Sequence, residues 1–378
     1  MKFSEIPGLG DTKQLLLDAI RENHLAHAQL FAGAEGALNL PLALACATYL
    51  HCENRGVDAC GKCPACSKSL KYIHPDTHFV FPVSNIKQDK DEERFKAEIL
   101  KSWRSFLLET PFGNPDDWTN FYGGENKQAL ISREESREII KSLALKPFES
   151  SFKVMIIWQP ELMHPSAANG ILKILEEPPQ HTYFILVTNA ADRLLPTIIS
   201  RTQLLAVPML DDDELAAWIS ASRKIDIDDA KKIAQLADGN LASALKLSEG
   251  EQNDHLKRFT EWVYACYKHD YGTLVAMADE YHSLDKVNQR NLLTYSLNMM
   301  HETMLDLFQA TGIHRVRQEE LEFVRRFAGQ MNLKKIERAY TLINDAGYHL
   351  ERNGSAKMIF LDLSLKLAEI FMPAAAPV

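Results

Sequence analysis

Lys153-Val154-Met155-Ile156-Ile157-Trp158, then Ala167-Ala168-Asn169-Gly170-Ile171-Leu172-Lys173-Ile174-Leu175-Glu176-Glu177-Pro178-Pro179, then Tyr183-Phe184-Ile185-Leu186-Val187-Thr188-Asn189 follow one another in the middle of the chain. The first and third are apolar runs of strand length, bounded by polar residues. The second reads as a helix that two prolines bring to a stop. Strand, helix and strand at this spacing form a βαβ unit of a parallel sheet. The stretch closes on Pro196-Thr197-Ile198-Ile199-Ser200-Arg201-Thr202.

Upstream, residues 10–23 predict an amphipathic helix with Leu15, Leu16, Leu17 and Ile20. His27-Ala28-Gln29-Leu30-Phe31 predicts a short strand, and a helix is expected from Pro41 to Leu50. Between them lies a turn containing Gly33 and Gly36, the setting of a phosphate-binding loop. In that loop, glycines let backbone N–H groups approach phosphate, a lysine neutralises its charge and a Ser or Thr holds magnesium. Gly33 matches the first glycine of G-x-x-x-x-G-K-[ST], but Leu38, Asn39 and Leu40 stand where Gly, Lys and Ser or Thr belong. Pro41 has no N–H to offer. The segment reads either as a phosphate loop in shape without its chemistry, or as a plain strand-to-helix turn with two glycines.

Of six cysteines, Cys46 and Cys266 stand apart, while Cys52, Cys60, Cys63 and Cys66 form a Cys-x7-Cys-x2-Cys-x2-Cys cluster. In a reducing compartment such clustering suggests a metal rather than disulfides. Four thiolates close a tetrahedral zinc site, and Gly61 and Pro64 suit the tight knuckle between them. No position is reserved for water, so the zinc is expected to be structural. His51 and His74 are spare ligand candidates.

Residues 84–129 differ in texture: a charge-rich run from Lys87 to Lys101, then Trp103, Phe106 and Leu107, then loop-like Phe112–Trp118 and Tyr122-Gly123-Gly124. This is read as an insertion packed on the surface of the first domain, whose aromatics form either a partner patch or, the preferred reading, cover for its own small core. Ser132-Arg133-Glu134-Glu135 is a capping box that starts a helix with Ile139, Ile140 and Leu143 towards the sheet. Asp211-Asp212-Asp213-Glu214 places carboxylates at a helix N-terminus, where the macrodipole favours them. Short helices are expected to about Gly250, and residues 251–372 read as entirely helical.

At 378 residues, with 46% hydrophobic and 25% charged residues, the chain has the make-up of a soluble protein of two or three domains. No apolar run reaches the length of a membrane span, and residues 1–7 lack the core of a signal peptide, so a cytoplasmic location is expected. A net charge of −9 weighs against a stand-alone nucleic-acid binder, but not against a member of an assembly that handles DNA.

Taken together, His27–Phe31, the four-cysteine knuckle, Asn169–Pro179 and Ser200-Arg201 resemble the clamp-loader subunits of bacterial DNA polymerase III, over about residues 5–250 and more loosely beyond. Leu172–Pro179 is a particularly specific word. The resemblance implies an AAA+ fold in three parts. These are an α/β domain over 1–207 with a zinc module at about 52–66 and the insertion at about 84–129, a helical lid over 208–250, and a helical collar for oligomerisation over 251–378.

An ATP-hydrolysing member would carry Asp-Glu at the end of the first strand of the central unit, where this chain has Trp158-Gln159. Glu161 lies two residues on. The lid would carry an arginine where Ala242 stands. With Leu38, Asn39 and Leu40, these losses imply a member of delta-prime type, with no productive ATP binding and no ATPase or polymerase site of its own. Arg201 of the Ser-Arg word would then act in trans as an arginine finger on the ATP of a neighbouring subunit, with Thr202 in place of the usual cysteine. Asn189 stands where the family places a γ-phosphate sensor, and here a structural hydrogen-bonding role is expected. The partners implied are a gamma/tau-type ATPase, the delta subunit and, through the complex, the sliding clamp and primed DNA. The alternatives are an ATP-binding gamma/tau-like subunit with a divergent loop, and a zinc-stabilised scaffold.

Overall fold

The structure, a computed structural model, describes residues 1–84, 92–124, 129–132, 134, 146–248, 253–284, 286–309, 316, 318–352 and 354–371. The chain divides into two compact units, Met1–Leu245 and Lys246–Val378.

The first unit runs α1 (Gly10–Arg21), β1 (Ala28–Ala32), α2 (Asn39–His51), α3 (Pro64–Ser69), β2 (Thr77–Val80), α4 (Glu92–Glu109), α5 (Pro115–Phe121), β3 (Lys153–Trp158), α6 (Pro165–Glu176), β4 (Thr182–Thr188), α7 (Pro196–Ile199), β5 (Gln203–Ala206), α8 (Asp212–Arg223), α9 (Ile227–Ala237) and the start of α10 (Leu241–Ser248), whose last three residues fall past the division. The strands form one sheet in the order β2-β3-β4-β1-β5. Every pairing is parallel, with Ile156 opposite Ile185 and Leu30 opposite Leu186. All six residues of β3 are buried. This is why its sequence is continuously apolar instead of alternating: both faces of a parallel sheet are covered. The βαβ reading of the central stretch and the α/β class of the first unit hold.

Helix α2 is buried along all thirteen residues, which accounts for a sequence that is apolar on every side. Pro41 lies in its first turn, where the missing N–H costs no helical bond. On the opposite side of β1, α6 lays Ala167, Ala168, Ile171 and Leu175 against Leu30, Met155, Ile157, Phe184 and Leu186.

The insertion departs from expectation. Its aromatics do not form a separate small core. Trp103, Phe106 and Trp118 are fully buried. Trp103 stacks on Phe81, just beyond β2, at 4.3 Å between centroids, and lies 5.1 Å from Trp158 at the end of β3. Trp118 Nε1 donates to Pro82 O at 2.8 Å. The insertion is therefore an extension of the sheet's own core. The expected helix with Ile139, Ile140 and Leu143 lies outside the described residues, as does the start of the charge-rich run. At the predicted acidic helix start, Asp211 caps α8 by accepting from Glu214 N at 2.6 Å.

The second unit is helical wherever it has regular structure among its described residues: α11 (Asn253–Lys268), α12 (Tyr271–Ser283), α13 (Lys286–Leu307), α14 (Gln318–Ala328), α15 (Leu333–Glu351) and α16 (Ala356–Phe371). Its core centres on Phe360, with Trp262 stacked at 4.7 Å and Tyr281 at 4.4 Å. The indole N–H of Trp262 donates to Ser364 Oγ at 2.8 Å, so the ring is buried without leaving its donor unpaired. Among the described residues no helix is long and apolar enough to cross a membrane.

Candidate functional site

Three clusters carry the residues singled out above. The first is where the carboxyl ends of β1, β3 and β4 meet, the place at which open parallel sheets bind ligands. Gly33 leaves β1 so close to its surroundings that a Cβ there would lie 2.6 Å from Val207 O. Gly36 has φ +93° and abuts the Asn240 side chain. Both glycines therefore sit where a side chain would not fit.

Asn39, in the lysine position, turns its amide back to donate to Thr188 O at 2.7 Å. Asn189 Nδ2 donates to Gly33 O at 3.2 Å and Ala34 O at 2.8 Å, and its Oδ1 accepts from Gln159 Nε2 at 2.7 Å. Gln159 reaches this position from a left-handed backbone, φ 56°. Side-chain amides therefore stitch three strand ends together where a nucleotide-binding member would present charge.

Glu161 belongs to the same stitching: its carboxylate accepts from Thr188 Oγ1 at 2.9 Å and from Asn189 N at 3.3 Å. Burial raises its pKa above the usual carboxylate range. The cleft left above the loop measures about 30 Å³ and is lined by Glu35, Leu38, Trp158 and Ala242, with Phe112–Pro115 of the insertion also lining it. That is room for roughly two waters. Among the described residues that line it none is a lysine or arginine, and Glu35 adds a carboxylate.

The second cluster is the cysteine knuckle. The sulfurs of Cys52, Cys60, Cys63 and Cys66 all lie within 4.8 Å of one another. Cys60 Sγ and Cys66 Sγ are 3.8 Å apart. A tetrahedron with Zn–S of about 2.3 Å has edges of about 3.8 Å, so this spacing suits a shared ion. Backbone N–H groups of Lys62 and Cys63 each reach Cys60 Sγ at 3.4 Å, and Cys66 N reaches Cys63 Sγ at 3.3 Å. These donors favour thiolates, and they pull Cys60 down to about 6. Burial raises Cys52 and Cys66.

Gly61 supplies the turn with φ +69°, and Pro64 opens α3 at its first position. Asp58 accepts from Ser4 N at 2.8 Å and Ala59 N at 2.7 Å, tying the N-terminal segment to the knuckle. His51 and His74 stand outside the sulfur group and stack on each other, centroids 4.0 Å apart.

The third cluster is at Arg201, just past α7. Its Nε donates to Glu176 Oε1 at 2.8 Å, its second terminal nitrogen pairs with the same oxygen, and NH1 donates to Thr197 O at 2.9 Å. The side chain is 29% exposed. The Glu176 partner was not identified from sequence, nor was Phe112–Pro115 as part of the cleft. The one available signal for the latter was a tryptophan at Trp158, ending an aliphatic strand and demanding an aromatic cover.

Fold and site define an α/β module with a five-stranded parallel sheet, a glycine-containing turn after β1 and a cluster of four cysteines. The family described as DNA polymerase III, delta subunit, matches residues 9–211. The chain belongs to that family and is akin to the delta-prime type of clamp-loader subunit. It is 30% identical over 243 residues to DNA polymerase III subunit delta' of Bacillus subtilis (strain 168), covering 63% of this chain and 59% of that protein. It is 34% identical over 140 residues to DNA polymerase III subunit gamma of Buchnera aphidicola subsp. Acyrthosiphon pisum (strain APS), covering 34% of this chain and 39% of that protein. The chain thus spans about half the length of these curated relatives. A solved DNA polymerase III gamma subunit-related protein of Thermotoga maritima aligns at TM-score 0.44 and 14% identity, over 96% of this chain and 100% of that one.

Proposed function

We propose that this chain is a non-hydrolysing, delta-prime-type subunit of the DNA polymerase III clamp loader, and that it lends Arg201 to the ATP of a neighbouring gamma/tau-type subunit. The observation that supports the reading is a cleft with no lysine or arginine among its described lining residues, in a chain whose Arg201 stays partly exposed. Asn39 spends its amide on Thr188 O, and Trp158 packs into the aromatic core where a magnesium ligand would stand. Arg201 keeps a partly exposed guanidinium at the far end of the same fifty-residue stretch. A guanidinium reaching a neighbour's γ-phosphate stabilises the charge that develops in phosphoryl transfer.

In this reading the first unit contributes the α/β and lid parts and the second the collar. The delta subunit completes the ring, and clamp and primed DNA are reached through the complex. Cys52, Cys60, Cys63 and Cys66 would hold a zinc ion whose role is to cross-link the knuckle.

The test is ATP turnover by the reconstituted loader carrying Arg201→Ala, together with nucleotide titration of the isolated chain. Turnover is expected to fall by at least about a hundredfold at the site the finger serves. The isolated chain is expected to show no magnesium-dependent micromolar affinity. Unchanged turnover at every site would remove the role in trans. Tight ATP binding would favour the second reading, an ATP-binding gamma/tau-like subunit, which the similarity to the Buchnera gamma subunit supports.

A further inference from the structure

Arg201 is not idle in its own chain. Its Nε and one terminal nitrogen converge on a single oxygen of Glu176, and NH1 points to Thr197 O at 2.9 Å and Ser200 Oγ at 3.4 Å. A guanidinium has five N–H groups in a fixed fork and grips a phosphate through two of them on one edge. Here the Nε edge is taken by a carboxylate and NH1 is turned to acceptors beside it. A two-pronged hold on phosphate therefore requires Arg201 to give up part of its present set.

A second observation concerns Glu176 itself. It is the last residue of α6, with Glu177 as the C-cap. Carboxylates at a helix C-terminus face the negative end of the macrodipole, the reverse of the favourable arrangement. Glu176 is 49% exposed, so no core packing requires it there. A local rule broken without a packing reason marks a position kept for something else.

From these two observations we infer that Glu176 is a competitor for the finger: its carboxylate holds Arg201 against α7 and must be displaced before the guanidinium engages a nucleoside triphosphate on an adjacent subunit. The ion pair sets a threshold, so that only a polyanion seated in the neighbouring site draws Arg201 out. This rests on the finger reading above. Glu176 acts through Arg201 and is a positioning residue. Pairs this exposed are weak, so the threshold is small and easily crossed.

The test is steady-state ATPase of the reconstituted complex containing Glu176→Gln, Glu176→Asp, Arg201→Ala, or Glu176→Gln with Arg201→Ala. Glu176→Gln is expected to lower KM for ATP about two- to fivefold, as loss of a weak surface pair allows, with kcat changed less. Glu176→Asp, which keeps the charge, is expected to stay near the wild-type KM. In the Arg201→Ala background, Glu176→Gln is expected to change nothing. If Arg201→Ala slows turnover while Glu176→Gln leaves KM unchanged or raises it, the competition is overturned and the finger stands. If Arg201→Ala has no effect, the finger reading falls and this inference with it.

Discussion

Asp76 shows what one buried carboxylate can hold. It is 1% exposed, and its oxygens accept backbone N–H from Phe148 at 2.6 Å, Glu149 at 2.8 Å and Ser150 at 2.8 Å. Its own carbonyl accepts from Val154 N at 2.9 Å, so one residue fastens the entrance of β2 to that of β3. Burial opposes its charge, but the three donors outweigh it and leave the carboxyl below its ordinary range. With the folded pKa below the unfolded one, its contribution is present above the unfolded pKa and disappears as pH falls through the folded one.

Asp76→Asn is therefore expected to cost about 2 kcal/mol at pH 7. The gap to wild type should narrow below about pH 4. Urea unfolding at pH 7 and pH 3 measures both, and a gap of equal size at the two would mean that charge is not its source. Nothing in the sequence marked Asp76, because its partners lie more than seventy residues on. The cysteines are the opposite case. Four sulfurs within fifteen residues are brought together by one knuckle, so local spacing was enough to read the cluster.

Among the elements, β3, α6 and β4 were legible because run length and a proline stop are local signals. β3 buries every residue, and α6 ends at Glu176, just before Pro178. The insertion was legible as a change of texture and misread as to its core. Whether Trp103 packs on its own neighbours or on Trp158 depends on how the chain returns to the sheet, which periodicity does not contain. Trp158 is 2% exposed within this aromatic group. Trp158→Ala is expected to cost about 3–5 kcal/mol. Hydrogen exchange should then quicken first in α4, α5 and the Phe112–Pro115 turn. A fall in stability with protection there unchanged would mean that Trp158 supports the sheet alone.

For the molecule as a whole, two separate cores predict two separable responses. Removing metal from the knuckle with a chelator is expected to lower the thermal transition of the unit Met1–Leu245 and to spare the helical unit built around Phe360. Metal analysis should return one zinc per chain before treatment. Hydrogen exchange resolved by segment would show loss of protection near α2 and α3. Equal loss in α11 and α16 would contradict independent cores.

At this scale the division between sequence and structure is clear. The parallel βαβ framework, the run Leu38-Asn39-Leu40 after the glycine turn, the cysteine cluster and the place of Arg201 could be read from the chain, because each is written in residue type and short spacing. Only the folded chain shows that Asn39, Gln159 and Asn189 stitch the strand ends together, that Phe112–Pro115 line the cleft beside the loop, and that Glu176 holds Arg201. These are contacts between segments far apart in the chain, and their geometry exists only once the sheet has assembled.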